Sequence, residues 1–203
     1  MKSFFSAFAN SAKEFKHIRT LAITGVFIAI SMILEMYSIN LQFVKINFAF
    51  LAIAVIGMLF GPTVGFFAAL ACDIVGFMVN PASAFILAYT LVAGLQGVIY
   101  GCCLYHKVSW FKGESARPAK SKNIELMIRA VVARLLDVII INLLLNTALN
   151  LHYGFIPSQA YGAAIITRVA KNVIELAADL PLLFILLPTA LMAYKRLGAN
   201  KAA

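Results

Sequence analysis

Four charged residues lie at helical spacing within the last apolar segment of the chain. They are spaced by three, four and four residues and are, in order, Arg168, Lys171, Glu175 and Asp179. This spacing places all four on one face of a helix. A charge at the centre of a membrane costs at least about 2.5–3.5 kcal/mol, so such a face must contact protein or water. The cationic end is a candidate wall of a binding site for an anionic solute. The alternative is a set of ion pairs that only hold helices together.

The composition of the chain is that of an integral membrane protein. Of its 203 residues, 63% are hydrophobic and 12% are charged, whereas soluble domains are about 45–50% apolar and about 25% charged. A spanning helix needs about 20 apolar residues, so six helices with short loops nearly fill the chain. No separate soluble catalytic or nucleotide-binding domain is expected. The net charge of +9 is explained by clusters of Lys and Arg in particular loops, and nucleic-acid binding is not expected.

Six apolar segments are predicted to cross the bilayer, and residues 1–203 are expected to form one integral membrane domain. The segments are 18–37, 47–60, 64–79, 84–104, 127–149 and 161–197. The expected fold class is therefore an all-α membrane protein with six transmembrane helices. Pro181 and Pro188 fall inside the last segment and are predicted to kink it or to end it early.

Lys and Arg are concentrated on one predicted side of the membrane. That side carries residues 1–17, expected to be an amphipathic or flexible segment, the basic loop 105–126, and the C-terminus. The loops of the opposite side carry only Lys45. The positive-inside rule therefore predicts that both termini are cytoplasmic.

With this orientation, polar residues from several segments gather near the outer face. The candidate substrate-binding residues are Lys45, Asp73, Tyr89, Asn146, Arg168, Lys171 and Asn172. Cations would match bound carboxylates, while aromatic and amide groups would fix an apolar or ring portion. The set suits a carboxylated, partly flat molecule, although Asp73 could instead neutralise a cation while the pocket is empty.

The ionisable residues of the inner half have a simpler interpretation. Arg134 and Asp137 are three residues apart, close enough to pair on one helix, and Asp179 lies late in the last segment. Because buried charges are usually paired, we expect a structural pair of Arg134 with Asp137 or with Asp179.

The sequence does not favour an enzyme. It contains no HExxH, GxSxG or GxxxxGK[ST] motif. Its three His are far apart in or near loops and its three Cys lie in apolar segments, so neither a metal site nor a cofactor is expected. Energy for uphill transport would come from a partner or an ion gradient. A secondary carrier working alone is a second hypothesis, but the two halves show no convincing repeat of the kind such carriers often have.

Four stretches carry a resemblance to a known family. They are VKINFAFLAIAVIGMLFGPTVGFFAALACDIVGFMVNP (44–81), LVAGLQGVIYG (91–101), LLLNTALNLHYG (143–154) and RVAKN (168–172). The FGPxxG turn with Asp73 after it, the LNT segment and the RxxK stretch are together fairly specific. The chain resembles the substrate-binding S component of energy-coupling factor (ECF) vitamin transporters, folate type, over all six segments.

The resemblance implies a vitamin-capture subunit of a bacterial plasma membrane importer, with its site near the extracellular face. It also implies three partners, a membrane-embedded coupling subunit and two cytosolic ATPases, the latter supplying ATP hydrolysis. Small residues of the first span contact the coupling subunit in this family, which points to Gly25 and Ala29. The stretch NPASAFILAYTL (80–91) lacks the glycines of the folate group, so pantothenate or another small anionic vitamin is an alternative to folate.

Overall fold

The computed structural model describes the chain except residues 1, 37–38, 42–43, 47, 80–84, 108–118, 157–160 and 200–203. The helices are α1 (Lys2–Glu14), α2 (Ile18–Met36), α3 (Phe50–Phe60), α4 (Pro62–Val79), α5 (Leu87–Leu104), α6 (Ala119–Leu136), a π-helix (Asp137–Leu145), α7 (Asn146–His152) and α8 (Tyr161–Ala199). A short antiparallel hairpin of β1 (Ile39–Leu41) and β2 (Val44–Ile46) follows α2.

Helical elements stand where the sequence predicts spans. They are α2, α3, α4, α5, the consecutive α6, π-helix and α7, and α8. Four apolar stretches among the described residues are long enough to cross a membrane: Ile18–Met36, Pro62–Val79, Leu87–Leu104 and Ile165–Arg196. The helical membrane architecture is therefore confirmed. Backbone angles at Leu136 and Leu145 are those of a right-handed helix, so α6, the π-helix and α7 form one unbroken helical segment, which is predicted to be the fifth span and is called the fifth pass below.

Three local predictions need correction. Residues 38–46 were expected to be a loop, but β-branched residues at both ends of the stretch favour the hairpin, in which Ile39 faces Ile46. The loop predicted at 105–126 ends earlier, because α6 begins at Ala119. Hydropathy marks a membrane boundary, whereas a helix extends beyond it wherever propensity allows. Finally, α8 does not end at Pro181 or Pro188, since neighbouring groups in a membrane protein re-satisfy the freed carbonyls.

Helix α3 forms the centre of the fold. All eleven of its residues are buried, and it packs against α2, α4, α5 and α8. A helix that is apolar on every side is suited to a position away from water, and here protein surrounds it. Leu183 and Leu187 of α8 and Tyr100 and Leu104 of α5 complete the core around it.

Glycines bring α3, α4 and α5 into backbone contact. A Cβ added at Gly57 would lie 2.8 Å from the Gly101 nitrogen, and one added at Gly65 would lie 2.7 Å from the Gly97 oxygen. Only hydrogen atoms fit at these positions, as is common where membrane helices cross closely. The turn between α3 and α4 requires a further glycine, because Gly61 has φ +87°.

The N-terminal segment is helical and is fixed to the turn between α3 and α4. The completely buried Ser11 donates from Oγ to the Phe60 carbonyl at 2.6 Å and accepts from the amides of Thr63 at 3.0 Å and Val64 at 3.1 Å. The hydroxyl thus serves the first amides of α4, which have no partner within their own helix. The described part of 1–17 is an anchored helix in this structure, not a flexible tail.

The end of α5 at the same side is held by side chains from other elements. Arg129 donates from Nε to the Cys103 carbonyl at 2.6 Å and from Nη2 to the Tyr105 carbonyl at 2.8 Å, which satisfies carbonyls at the negative end of the helix dipole. Lys107 pairs with Glu14 of α1. Burial lowers the pKa of His106 from its usual range, although the bond of its ring to the Met58 carbonyl opposes that shift.

Candidate functional site

Tyr89, near the start of α5, lies at the centre of a polar group at one end of the bundle. Its hydroxyl donates to Asn150 Oδ1 of α7 at 2.8 Å, and its ring centroid lies 6.3 Å from that of Tyr153. The Arg168 guanidinium of α8 lies within electrostatic range of the same hydroxyl. A phenol from α5, an amide from α7 and a guanidinium from α8 therefore lie at the same end of the bundle.

The end of α7 determines where Asn150 and Tyr153 lie. Gly154 has φ +74°, its amide donates to the Leu151 carbonyl at 3.2 Å, and the Phe155 amide donates to the Asn150 carbonyl at 2.9 Å. This pair of bonds is a Schellman motif, which needs glycine at the left-handed position. The HYG sequence therefore ends the helix so that Tyr153 stays beside α5.

Arg168 makes one hydrogen bond through its side chain and one through its own backbone carbonyl. Its Nη1 donates to the Asn142 carbonyl of the π-helix at 3.4 Å, and its own carbonyl accepts from Asn172 Nδ2 at 2.8 Å. Asn172 is buried, whereas Arg168 is half-buried. A neutral carbonyl orients a guanidinium without cancelling its charge, so Arg168 keeps its attraction for an anion.

Asp73 joins this group from α4. Its Oδ2 accepts from Thr90 Oγ1 at 2.6 Å, and Thr90 directly follows Tyr89 on α5. The sequence singled out both Asp73 and Tyr89, and the structure places them on adjacent helices at the same end of the bundle.

Three other candidate residues have different surroundings. Lys171 pairs with the buried Glu175 at 3.3 Å while its side chain stays 36% exposed. Asn146, the first residue of α7, is half-buried. Lys45 lies opposite Asn40 in the hairpin, and its side chain lies outside the described residues. Lys171 is thus partly neutralised, which the charge spacing alone did not reveal.

The sequence analysis did not single out Asn150, Tyr153 or Thr90. A signal for Asn150 was present, because it follows Asn146 by four residues in LNTALNLHYG and so shares a helix face with it. It was missed because residues 150–160 were interpreted as a loop.

A second polar network lies deeper along the same three passes. Arg134 Nε donates to Asp179 Oδ2 at 3.0 Å, and Arg134 Nη1 donates to Asp137 Oδ2. Asp137 also accepts from Gln96 Nε2 at 2.9 Å, and the Arg134 guanidinium lies 4.3 Å from the centre of the Phe50 ring. The predicted structural pairing of Arg134 is confirmed, with both carboxylates at once. The charged face of α8 therefore divides into a part at the candidate site, which holds Arg168, and a structural part further along the helix, which holds Asp179.

Comparison with known proteins shows the family of the chain. The family model of the ECF transporter substrate-specific component matches residues 19–187. The chain belongs to this family. Folate transporter FolT of Clostridium novyi (strain NT) is 27% identical over 137 residues, which cover 68% of this chain and 69% of that protein. A crystal structure of FolT bound with folic acid superposes with a TM-score of 0.60 at 28% identity, covering 80% of this chain and 90% of that one.

The family resolves two questions that the sequence left open. The chain is a substrate-binding transporter component rather than an enzyme, and the resemblance to folate-type S components is confirmed.

Proposed function

We propose that this chain captures folate for an ATP-driven ECF importer. The observation that carries the proposal is the half-buried Arg168, whose guanidinium contacts the neutral Asn142 carbonyl within electrostatic range of Tyr89 in a chain similar to FolT. Folate offers the matching chemistry, because it has carboxylates at one end and a flat heteroaromatic ring at the other.

In this proposal each part of the ligand meets a different part of the site. Arg168 takes a carboxylate, with Lys171 beside it and Lys45 at the mouth. The Tyr89 and Tyr153 rings supply apolar faces for the ring system, as flat ligands require. Polar ring atoms are served by the remaining candidates, which are Asp73, Asn146 and Asn172.

The proposed import also needs partners and an orientation. The whole chain would be one domain of six passes in a bacterial plasma membrane, with both termini cytoplasmic, because the Lys and Arg clusters lie at that side. ATP hydrolysis would occur in two cytosolic ATPases linked through a membrane-embedded coupling subunit. Gly25 and Ala29 would contact that subunit, since both are exposed on α2 and a Cβ at Gly25 has no neighbour within 4 Å.

Replacing Arg168 with alanine is expected to weaken folate binding at least tenfold, or about 1.4 kcal/mol. The reason is loss of the cation that meets the carboxylate. Lys171→Ala should also cost at least tenfold, and the exposed Arg196→Ala at the far end of α8 should cost nothing. Calorimetry on the purified chain in detergent, without ATP or partners, measures all four proteins against folate and pantothenate.

The outcomes separate the alternatives. Unchanged affinity in Arg168→Ala with a lower melting temperature would make the residue structural. Wild-type binding of pantothenate but not folate would keep the capture role and change the vitamin. Uptake by this chain alone, driven by an ion gradient, would contradict the partnership.

Replacing Gly25 or Ala29 with leucine should leave folate binding intact but impair assembly with the coupling subunit. A larger side chain there adds volume to an exposed helix face and so does not disturb the chain itself. Val26→Leu, at the neighbouring exposed position of α2, is the matched control. Co-purification with the three partners measures assembly, and normal assembly of the Gly25 and Ala29 variants would place the contact elsewhere.

A further inference from the structure

The π-helix changes which side chains of the fifth pass face the protein. Buried positions recur every three or four residues in an α-helix. Arg134, Asp137 and Ile141 follow this spacing from the end of α6 into the π-helix. A continued α-helix would next bury positions near Leu144 and Ala148. Both residues are instead exposed, Leu144 to 60%.

The buried face lies two residues further along the chain. Thr147 is completely buried, and Asn146 and Asn150 are half-buried on either side of it along the chain. Without the shift, the apolar residues Leu144 and Ala148 would occupy that face. The shift therefore exchanges an apolar face for the amide and hydroxyl groups beside the candidate site.

Backbone bonding shows the wider turn directly. The Asn146 amide donates to the Ile141 carbonyl, five residues back, and α7 then returns to bonds of four residues, so the Asn142 carbonyl is passed over. A carbonyl without a partner in apolar surroundings is costly. Side chains serve it here: Thr147 Oγ1 donates at 3.2 Å and Arg168 Nη1 at 3.4 Å.

We propose that the π-helix is the positioning element of the ligand site. It turns Asn146 and Asn150 toward the protein, and it frees the Asn142 carbonyl that orients Arg168. Thr147 is then a positioning residue, because its hydroxyl supports the freed carbonyl. This inference rests on the proposed function, since the site so aligned is the one proposed for folate.

Deleting Ile140, which is exposed on the π-helix, tests the proposal. One residue fewer allows continuous α-helical bonding, and the inward positions are then taken by Leu145 and Leu149 instead of Asn146 and Asn150. We expect folate affinity to fall at least 100-fold in calorimetry while the chain still elutes as a folded species. Ile140→Ala keeps the residue count and should bind within twofold of wild type.

A rescue variant shows whether the deletion acts by changing the helical register or by damaging the fold in general. Adding one alanine between Leu143 and Leu144 of the Ile140 deletion restores the residue count, and binding should return to within tenfold of wild type. Wild-type binding by the deletion variant, or a folded rescue variant that does not bind, would overturn the proposal.

A pair of substitutions at Thr147 tests its positioning role if the deletion variant does not fold. Thr147→Val keeps the shape of the side chain but removes the hydroxyl, whereas Thr147→Ser retains it. Folate binding should weaken at least tenfold in the valine variant and stay within threefold in the serine variant. Equal affinity of the valine variant and wild type would contradict the positioning role.

A spin label reports on the register without any ligand. Ala148→Cys carries the nitroxide in a background with Cys72, Cys102 and Cys103 replaced by alanine. Frequent collisions with dissolved oxygen in liposomes are expected, because Ala148 faces outward. A shielded label would refute the register itself. An exposed label in a chain that binds no folate would instead refute the proposed function and leave the register standing.

Discussion

Replacing Arg134 with methionine is expected to destabilise the chain by about 3–5 kcal/mol, because it leaves two buried carboxylates without their cation. Asp137 and Asp179 are 0% and 1% exposed, and both accept from Arg134. Water cannot replace the guanidinium at this depth, and Gln96 supplies only a neutral donor to Asp137. Unfolding of the purified chain in detergent measures the loss.

Two further variants show whether the effect belongs to the network. Arg196→Met removes the same kind of side chain from an exposed position of α8 and should unfold like wild type. The triple variant Arg134→Met, Asp137→Asn, Asp179→Asn removes cation and carboxylates together and should recover most of the lost stability. An Arg134→Met chain that unfolds like Arg196→Met would show that the network contributes little.

The charge spacing on α8 was sufficient to predict which face meets the protein, but not the role of each residue. Asp179 belongs to the Arg134 network and Lys171 pairs with Glu175, while Arg168 contacts a carbonyl. Periodicity gives directions around one helix. It does not show which residues of another helix lie at the same depth. Those partners determine whether a charged residue of α8 has a structural role or a binding role.

The π-helix could not be predicted from apolar periodicity. Its sequence, DVIIINLLL (137–145), is apolar on all sides except at Asp137 and Asn142, so a shift in register leaves no change in the pattern. The same limit explains why Asn150 and Tyr153 were assigned to a loop. Only the three-dimensional partners, Tyr89 and the Schellman turn at Gly154, reveal that the helix continues to His152.

The two polar groups share their supporting helices. The Arg134 network connects α5, the fifth pass and α8 by hydrogen bonds among Gln96, Asp137, Arg134 and Asp179. The candidate site lies at one end of the same three helical segments. Fixing these helices at one depth limits how far Tyr89 and Arg168 can separate at the other. A rigid supporting layer of this kind is what a binding site needs to hold its groups in place.

Replacing Gly97 with alanine is expected to destabilise the chain by at least about 3 kcal/mol, the upper part of the range for overpacking. A Cβ there would lie 2.1 Å from the Gly65 carbonyl oxygen and 2.5 Å from its carbon. These are backbone atoms of a neighbouring helix, so no rotamer change can relieve the clash and α4 must move away from α5. That movement would also separate Asp73 from Thr90, whose bond lies further along the same pair of helices, so folate affinity should fall together with stability. Gly25→Ala is the matched control, because a Cβ at Gly25 has no neighbour within 4 Å and alanine is the better helix former. Thermal unfolding and calorimetry on both variants measure the two effects, and a Gly97→Ala chain as stable as Gly25→Ala would mean that α4 and α5 do not meet at their backbones.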